Sequence, residues 1–179
     1  VIAHDGSSVW IVPFSGGPLR KLAPYDNKLL QLAWSPDEKT VVLVGHLTDV
    51  VLVEVATGKI RTLRGHTDAL YTVEWSKDGR RLVSASDDAT ARVWSVTDGS
   101  SIVLRGHDDD IARARWSADD KQVVTASFDG SIRVWSVEQA GAKVITEGAS
   151  IIEEMTLSGD KALIKTPTAI ARWDLVTNT

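Results

Sequence analysis

Apolar residues in this chain fall in short runs between turn-forming residues, and the runs favour the β-branched and aromatic side chains of strands. The clearest stretch is 69–105. ALYTVEW (69–75) reads as a strand, SKDGR (76–80) as a hairpin turn whose Asp-Gly supplies the positive φ, and RLVSAS (81–86) as a second strand. Asp87-Asp88-Ala89 turns the chain, ARVWSV (91–96) is a third strand, Thr97-Asp98-Gly99 turns it again, and SSIVLR (100–105) is a fourth. Helical spacing is not seen anywhere. The pattern predicts an all-β protein built from four short antiparallel strands at a time.

That unit repeats. LRGHTDALYTVEWSKDGRRLVSASDDATARVWSV (63–96) lies over LRGHDDDIARARWSADDKQVVTASFDGSIRVWSV (104–137), so Gly65-His66 matches Gly106-His107 and Trp75, Asp88 and Trp94 match Trp116, Asp129 and Trp135, each 41 residues apart. Upstream, Trp34 takes the place of Trp75, SPDEK (35–39) is the first turn, and Ala56-Thr57-Gly58 matches Thr97-Asp98-Gly99. Downstream, Leu157 replaces Trp116, Ser158-Gly159-Asp160-Lys161 is the first turn and ARWDL (171–175) a third strand. At the front, residues 4–22 read as a turn, a third strand ending near Val12, the Ser15-Gly16-Gly17 turn and a fourth strand.

A period in the low forties, with Gly-His at one end and Val-Trp at the other, resembles the blade of a WD40-repeat β-propeller. The resemblance implies one propeller segment over 1–179, with full blades at about 28–63, 69–104 and 110–146 and partial blades at 1–22 and 150–176. Family propellers usually close with seven blades, and this chain supplies fewer than five. Three explanations are expected, in this order: a piece of a longer propeller, a ring closed between copies by self-association of open edges, or an open array with capped ends. The seven tryptophans follow the scheme: Trp34, Trp75 and Trp116 end first strands, and Trp10, Trp94, Trp135 and Trp173 lie in third strands. A regular aromatic row is expected to be core between blades rather than a stacking surface for bases or sugars.

Ser84, His66 and Asp88 have the chemistry of a nucleophilic triad, as do Thr125, His107 and Asp129. Two copies at the repeat distance suit a structural element better than an active site. The resemblance implies hydrogen-bonded structural tetrads, His66–Ser84–Asp88–Trp94 and His107–Thr125–Asp129–Trp135. One period upstream the four positions hold Tyr25, Leu43, Leu47 and Val53; in the last repeat Glu147-Gly148-Ala149 replaces the Gly-His and only Trp173 remains.

In propellers resembling this one, partners dock on the face carrying the inter-blade loops and the turns between second and third strands. Thr67, Asp68, Tyr71, Asp87, Asp108, Asp109, Asp110 and Phe128 map there. Phe128, projecting from a turn, is the expected anchor, Tyr71 the next, and the aspartates would favour a basic protein or peptide partner. The plain alternative is that these aspartates are solvated turn formers.

Composition narrows the remaining classes. The net charge of -4 and pI of about 5.5, with Arg80-Arg81 and Arg20-Lys21 as isolated pairs, leave no basic stripe for nucleic acid. With no cysteine there is no disulfide framework and no thiolate site. His4, His46, His66 and His107 form no metal-binding spacing; His46, near Asp49, reads as a solvated turn residue, and no cofactor is expected. No apolar run reaches the ~20 residues of a membrane helix.

The reading is a non-catalytic interaction scaffold. An alternative is the sensor or regulatory portion of a larger bacterial signalling enzyme, a kinase or NTPase. The SPDEK and SADDK turns and the WIVPFSGG stretch also look somewhat like the TolB-type propeller. A cytoplasmic location is expected, or a periplasmic one for the TolB-like case. Hydrolysis by the propeller itself would need a polar cluster on the channel-lining first strands, where Arg113 and Arg115 are the charged pair.

Overall fold

The computed structural model describes residues 2–4, 8–11, 17–24, 29–137, 142–146, 154–158, 161–166 and 170–174. Among them there is no helix. Five antiparallel sheets follow one another in sequence. The first holds β1 (Ile2–His4), β2 (Ser8–Ile11) and β3 (Arg20–Pro24); the second β4 (Leu29–Trp34), β5 (Thr40–Gly45), β6 (Val50–Glu54) and β7 (Ile60–Leu63). The third holds β8 (Leu70–Trp75), β9 (Arg81–Ser86), β10 (Thr90–Ser95) and β11 (Ser101–Arg105). The fourth holds β12 (Ile111–Trp116), β13 (Gln122–Ser127), β14 (Ile132–Ser136) and β15 (Ala142–Thr146). The fifth holds β16 (Glu154–Ser158), β17 (Lys161–Lys165) and β18 (Ile170–Asp174). Strands within each sheet pair in sequence order, the up-and-down pattern of a propeller blade.

One device makes the first hairpin turn of each four-stranded sheet. The hydroxyls of Ser35, Ser76 and Ser117 donate to Asp37, Asp78 and Asp119 at 2.6, 2.7 and 2.7 Å. Those carboxylates accept the backbone N–H of Lys39, Arg80 and Lys121, so the Ser-x-Asp triplet satisfies its own loop. The second turn of the third and fourth sheets is equally repetitive but differs at one backbone position. Gly130 has φ 79°, whereas its equivalent Ala89 is held at φ 59°.

Neighbouring sheets are joined through their first strands, and the cores lie between sheets. Trp75 and Trp94 pack with Val42, Val44, Leu52, Leu63 and Leu70, bridging the second sheet to the third; Trp116 and Trp135 pack with Val83, Ala85, Val93 and Leu104, bridging the third to the fourth. These four tryptophans are buried, as the period predicts; Trp10 and Trp34 are partly covered, and the surroundings of Trp173 lie outside the described residues. The indoles of Trp75 and Trp116 donate to the Ala33 and Glu74 carbonyls of the preceding first strand, both at 3.3 Å. On the side of the Ser-x-Asp turns, Lys77 N–H donates to Asp120 at 2.7 Å, Arg81 donates to the Asp120 carbonyl at 2.8 Å, and the Arg81 guanidinium lies 4.7 Å from the Trp116 ring centre.

The first strand of each four-stranded sheet also carries a β-bulge at the same place. Pairing skips Leu30 between Leu29 and Gln31, Tyr71 between Leu70 and Thr72, and Ala112 between Ile111 and Arg113. A bulge places two residues opposite one and re-aims the extra side chain. It recurs close to the end of the strand that meets the inter-blade loop.

An alanine in the left-handed region costs about 1–2 kcal/mol, only partly offset by the unfolded-state entropy a glycine would add. Ala89→Gly is therefore expected to raise the melting temperature by about 1–3 °C. Thermal unfolding followed by circular dichroism checks this, and an unchanged or lower value would show that Ala89 carries no backbone strain.

Candidate functional site

Each central sheet holds a buried series of hydrogen bonds. In the third, Trp94 Nε1 donates to Ser84 Oγ at 2.8 Å, Ser84 Oγ lies 2.8 Å from His66 Nε2, and His66 Nδ1 lies 2.8 Å from Asp88 Oδ2. In the fourth, Trp135 Nε1 donates to Thr125 Oγ1 at 2.8 Å, and His107 joins Thr125 at 2.7 Å to Asp129 at 2.8 Å. One arrangement of protons satisfies each set: indole N–H to hydroxyl oxygen, hydroxyl to Nε2, and Nδ1–H to the carboxylate. That requires neutral imidazoles. Burial lowers the pKa of both histidines below 6.5, outweighing the pull of their aspartates.

The aspartates do more than orient histidine. Asp88 also accepts the Thr67 N–H at 3.0 Å, the Thr90 N–H at 2.9 Å and the Thr90 hydroxyl at 2.6 Å; Asp129 accepts the Asp108 and Ser131 N–H groups at 3.1 and 2.7 Å. Burial alone would raise their pKa values, but these hydrogen bonds hold Asp88 below its ordinary value and Asp129 at about 2. Thr90 and Ser131 are thus further members of each network, and their hydroxyls lie within 3.4 and 3.0 Å of His66 and His107 Nδ1. Ser86 and Ser127 bind the loop from below, donating to the Asp68 and Asp109 carbonyls at 3.1 and 2.9 Å. Sequence reasoning passed over these four, although each pair is a hydroxyl repeated at 41 residues.

The glycine before each histidine is a matter of space. A Cβ on Gly65 would lie 2.5 Å from the movable Arg92 Nη1 and 3.2 Å from the Trp94 ring, so a side chain there would displace the guanidinium and press on the indole. One period upstream, Leu43 and Val53 are buried together in an apolar cluster where Ser84 and Trp94 have their hydrogen bond; Tyr25 lies outside the described residues, as do Glu147-Gly148-Ala149.

These sets lack what a nucleophilic triad needs. Ser84 and Thr125 are 0% exposed and His66 and His107 only 5% and 7%, and each hydroxyl oxygen already accepts an indole N–H. Substrate has no approach to them. The arrangement ties a loop, a turn and two strands into one body.

The loop face is built next to these networks. Asp87 and Phe128 immediately precede the network aspartates, and their backbone N–H groups donate to the Ala69 and Asp110 carbonyls at 3.0 and 2.9 Å. Thr67, Asp68, Asp108 and Asp109 are exposed, while Tyr71, Asp87, Asp110 and Phe128 are half-buried. Phe128 therefore does not stand free, as its turn position suggested. It meets Tyr71 edge to face, with ring centres 6.2 Å apart and planes at 79°, because the bulge turns Tyr71 toward it.

Carboxylates surround that pair. Burial, then the Asp110 charge, raises the Asp87 pKa against a hydrogen bond from Tyr71, and Asp87 Oδ1 is buried without a partner. Burial, Asp109 and Asp68 raise Asp110; burial, Asp87, Asp110 and Asp68 raise Tyr71. Asp68 and Asp109 also serve their own loops, accepting the next residue's N–H at 2.8 and 2.9 Å. The turn-former explanation thus accounts for those two and leaves Asp87, Asp108 and Asp110 without one. His46 is exposed, and among the described residues no three His, Asp or Glu side chains come together as a metal site.

Consecutive four-stranded sheets joined through their inner strands, each central one locked by a His–Ser/Thr–Asp–Trp network, define a β-propeller of the WD type. Residues 57–95 and 99–136 match the family model of the WD40 repeat (WD domain, G-beta repeat), so this protein carries two WD40 repeats. No curated protein matches it in sequence. Among solved structures it superposes on one protein of "Crystal Structure of Mitotic Checkpoint Complex" with a TM-score of 0.83 at 18% identity. The match covers 97% of this protein and 58% of that one, so this protein spans little more than half the length of its structural neighbour. At that identity the likeness is one of fold.

Replacing His66 by alanine leaves the Ser84 hydroxyl proton without its acceptor and Asp88 without one of its donors, and opens space beside Trp94, at about 2–4 kcal/mol in all. The melting temperature of His66→Ala is expected to fall by about 5–10 °C. The native histidines also set a pH dependence. Their folded pKa values lie below 6.5, so the unfolded protein takes up protons first as pH falls, and stability is lost on acidification below about pH 6.5. Melting curves between about pH 7.5 and 5.5 should show the native protein losing stability and His66→Ala losing less. A variant as stable as the native protein would remove the structural role.

Proposed function

We propose that this protein is a non-catalytic scaffold whose loop face holds a partner protein or peptide by a cationic side chain, over the patch formed by Asp68, Tyr71, Asp87, Asp108, Asp109 and Phe128. The observation that carries this is the Tyr71–Phe128 pair ringed by carboxylates, two of them raised in pKa and one with a buried, unpartnered oxygen. A lysine or arginine placed there would gain an aromatic surface and relieve the repulsion among aspartates. An uncharged or anionic group would gain neither.

Two further facts support the reading. The WD40 fold generally serves protein interaction, and the structural neighbour is part of a multiprotein complex. The Ser-His-Asp sets, the one constellation with nucleophilic chemistry that the sequence suggested, are buried in the two networks. A scaffold needs a rigid face, and the networks supply it.

The test uses a library of short synthetic peptides in which each position carries Arg, Lys, Gln or Glu. Bound peptides are expected to be enriched in Arg or Lys, with affinity that falls as salt rises. Phe128→Ala and Asp87→Asn should each weaken the best peptide about tenfold or more, the range of an interface anchor. Selection without a basic preference, or selected peptides indifferent to Phe128→Ala, Asp87→Asn and Asp109→Ala, would overturn the assignment.

A further inference from the structure

Below the loop face, on the inner wall, lies a cavity of about 380 Å³ lined by Leu30, Gln31, Tyr71, Thr72, Arg113 and Arg115. It is bounded by the first strands β4, β8 and β12, the elements through which the sheets touch. Two of its six lining residues, Leu30 and Tyr71, are the bulged residues of their strands.

The polar groups of the cavity are nearly all donors. Gln31 Oε1 is already used, accepting the Val73 N–H at 3.0 Å, which leaves the Gln31 amide NH2 without an acceptor among the described residues. Thr72 Oγ1 likewise accepts the Ala114 N–H at 3.2 Å, and its own hydroxyl proton has no acceptor among them. Arg113 donates only to the carbonyl of its neighbour Ala112, at 2.8 Å. Arg115 has one anionic partner, Glu74, at 3.5 Å, and Glu74 is itself engaged by the Trp116 N–H at 2.9 Å. Among the described residues, one carboxylate thus stands against two guanidiniums. The cavity keeps one uncompensated positive charge and a convergent set of unanswered N–H and O–H groups.

We infer that this cavity is a binding site for a single carboxylate, of the kind an aspartate or glutamate side chain or a free peptide C-terminus presents. Arg113 and Arg115 supply charge-assisted hydrogen bonds, and Gln31 and Thr72 neutral ones, to the two oxygens. One net positive charge matches a monoanion. A dianionic phosphate would leave one negative charge without a counter-charge among the lining residues. Leu30 and Tyr71 furnish the apolar surface that the methylenes of a glutamate side chain would cover. The cavity holds its charge and donors whether or not the loop face binds a cationic segment. If both are right, Tyr71 lies between the two subsites, and a partner segment would carry a basic and an acidic residue close together.

The probe is propionate, a monoanion with the shape of a glutamate side chain, titrated at constant ionic strength while the arginine Nε–Hε and Gln31 amide signals are followed by NMR. Saturable shifts at Arg113, Arg115 and Gln31 are expected in the millimolar range, with the exposed Arg105 unaffected. Arg113→Gln should weaken binding about tenfold, roughly one charge-assisted hydrogen bond. Gln31→Glu keeps an acceptor for the Val73 N–H and fills the site with its own carboxylate. It should abolish the propionate response and move the arginine signals to their bound positions in its absence.

Asp109→Ala, which removes an exposed loop-face carboxylate bonded to the Asp110 N–H, should leave the propionate titration unchanged, so failure of the peptide test and failure of this one are distinguishable. A response no different from that of Arg105, or one that survives Gln31→Glu, overturns the site. Inorganic phosphate saturating more tightly than propionate overturns the carboxylate assignment in favour of a phosphate.

Discussion

The inner strand of every blade is a sheet edge, and the molecule depends on how that edge is served. A strand at an edge offers backbone N–H groups with no sheet partner on one side. Here the preceding blade provides the partners. Gln31 takes the N–H of Val73, Thr72 that of Ala114, and Glu74 that of Trp116. The indoles of Trp75 and Trp116 return the favour, donating to inner-strand carbonyls of the blade before. A blade on its own would leave these groups unpaired beside an uncovered apolar face, so each sheet specifies the position of the next. The cavity is a by-product of the same solution: residues that spend one hydrogen-bonding group on their neighbour present the other to the inner wall.

The buried networks solve the complementary problem on the loop side. A loop crossing between blades has backbone groups to satisfy and no strand to pair with. Asp88 and Asp129 gather the loop N–H, the histidine and the turn into one acceptor, and Ser86 and Ser127 hold the loop carbonyls. Where the network is replaced by Leu43 and Val53, polar partners have vanished together and an apolar cluster stands in their place. Leu43 and Val53 bring no side-chain donor or acceptor of their own, whereas losing a single network member would take a hydrogen bond from each of its buried partners. The repeats therefore hold either most of the network or almost none of it.

This division explains what the sequence could show. The 41-residue period, the turn triplets and the alternation of β-branched residues are local signals, and the strands drawn from them agree with the structure to about one residue: β8 begins at Leu70 rather than at 69, and β10 runs Thr90–Ser95 rather than 91–96. The four residues of each tetrad were legible through the resemblance to the WD40 blade, whereas Ser86, Thr90, Ser127 and Ser131 were not, although they repeat at the same distance. The cross-blade bonds were not, since Gln31 with Val73 or Glu74 with Trp116 join residues 42 apart whose types carry no shared pattern. Nor was the bulge, because one extra residue in an inner strand leaves the apolar pattern on either side intact. Phe128 was expected to project because it sits in a turn, and the bulged Tyr71 on the inner strand meets it instead.

The two halves of the structure meet at the loop face. Asp87 precedes Asp88 and Phe128 precedes Asp129, so the residues that crowd around Tyr71 are held one bond away from the most firmly anchored carboxylates in the protein. Placing Asp68, Asp87 and Asp110 around one phenol is unfavourable, and a flexible loop would relax it by moving apart. The loop cannot do so while its carbonyls and N–H groups are tied to the networks beneath. The repulsion is therefore retained in the free protein, which is what the proposed cationic partner would relieve. On the proposed reading, the buried networks would preorganise the surface, and a change at His66 would bear on binding as well as on folding.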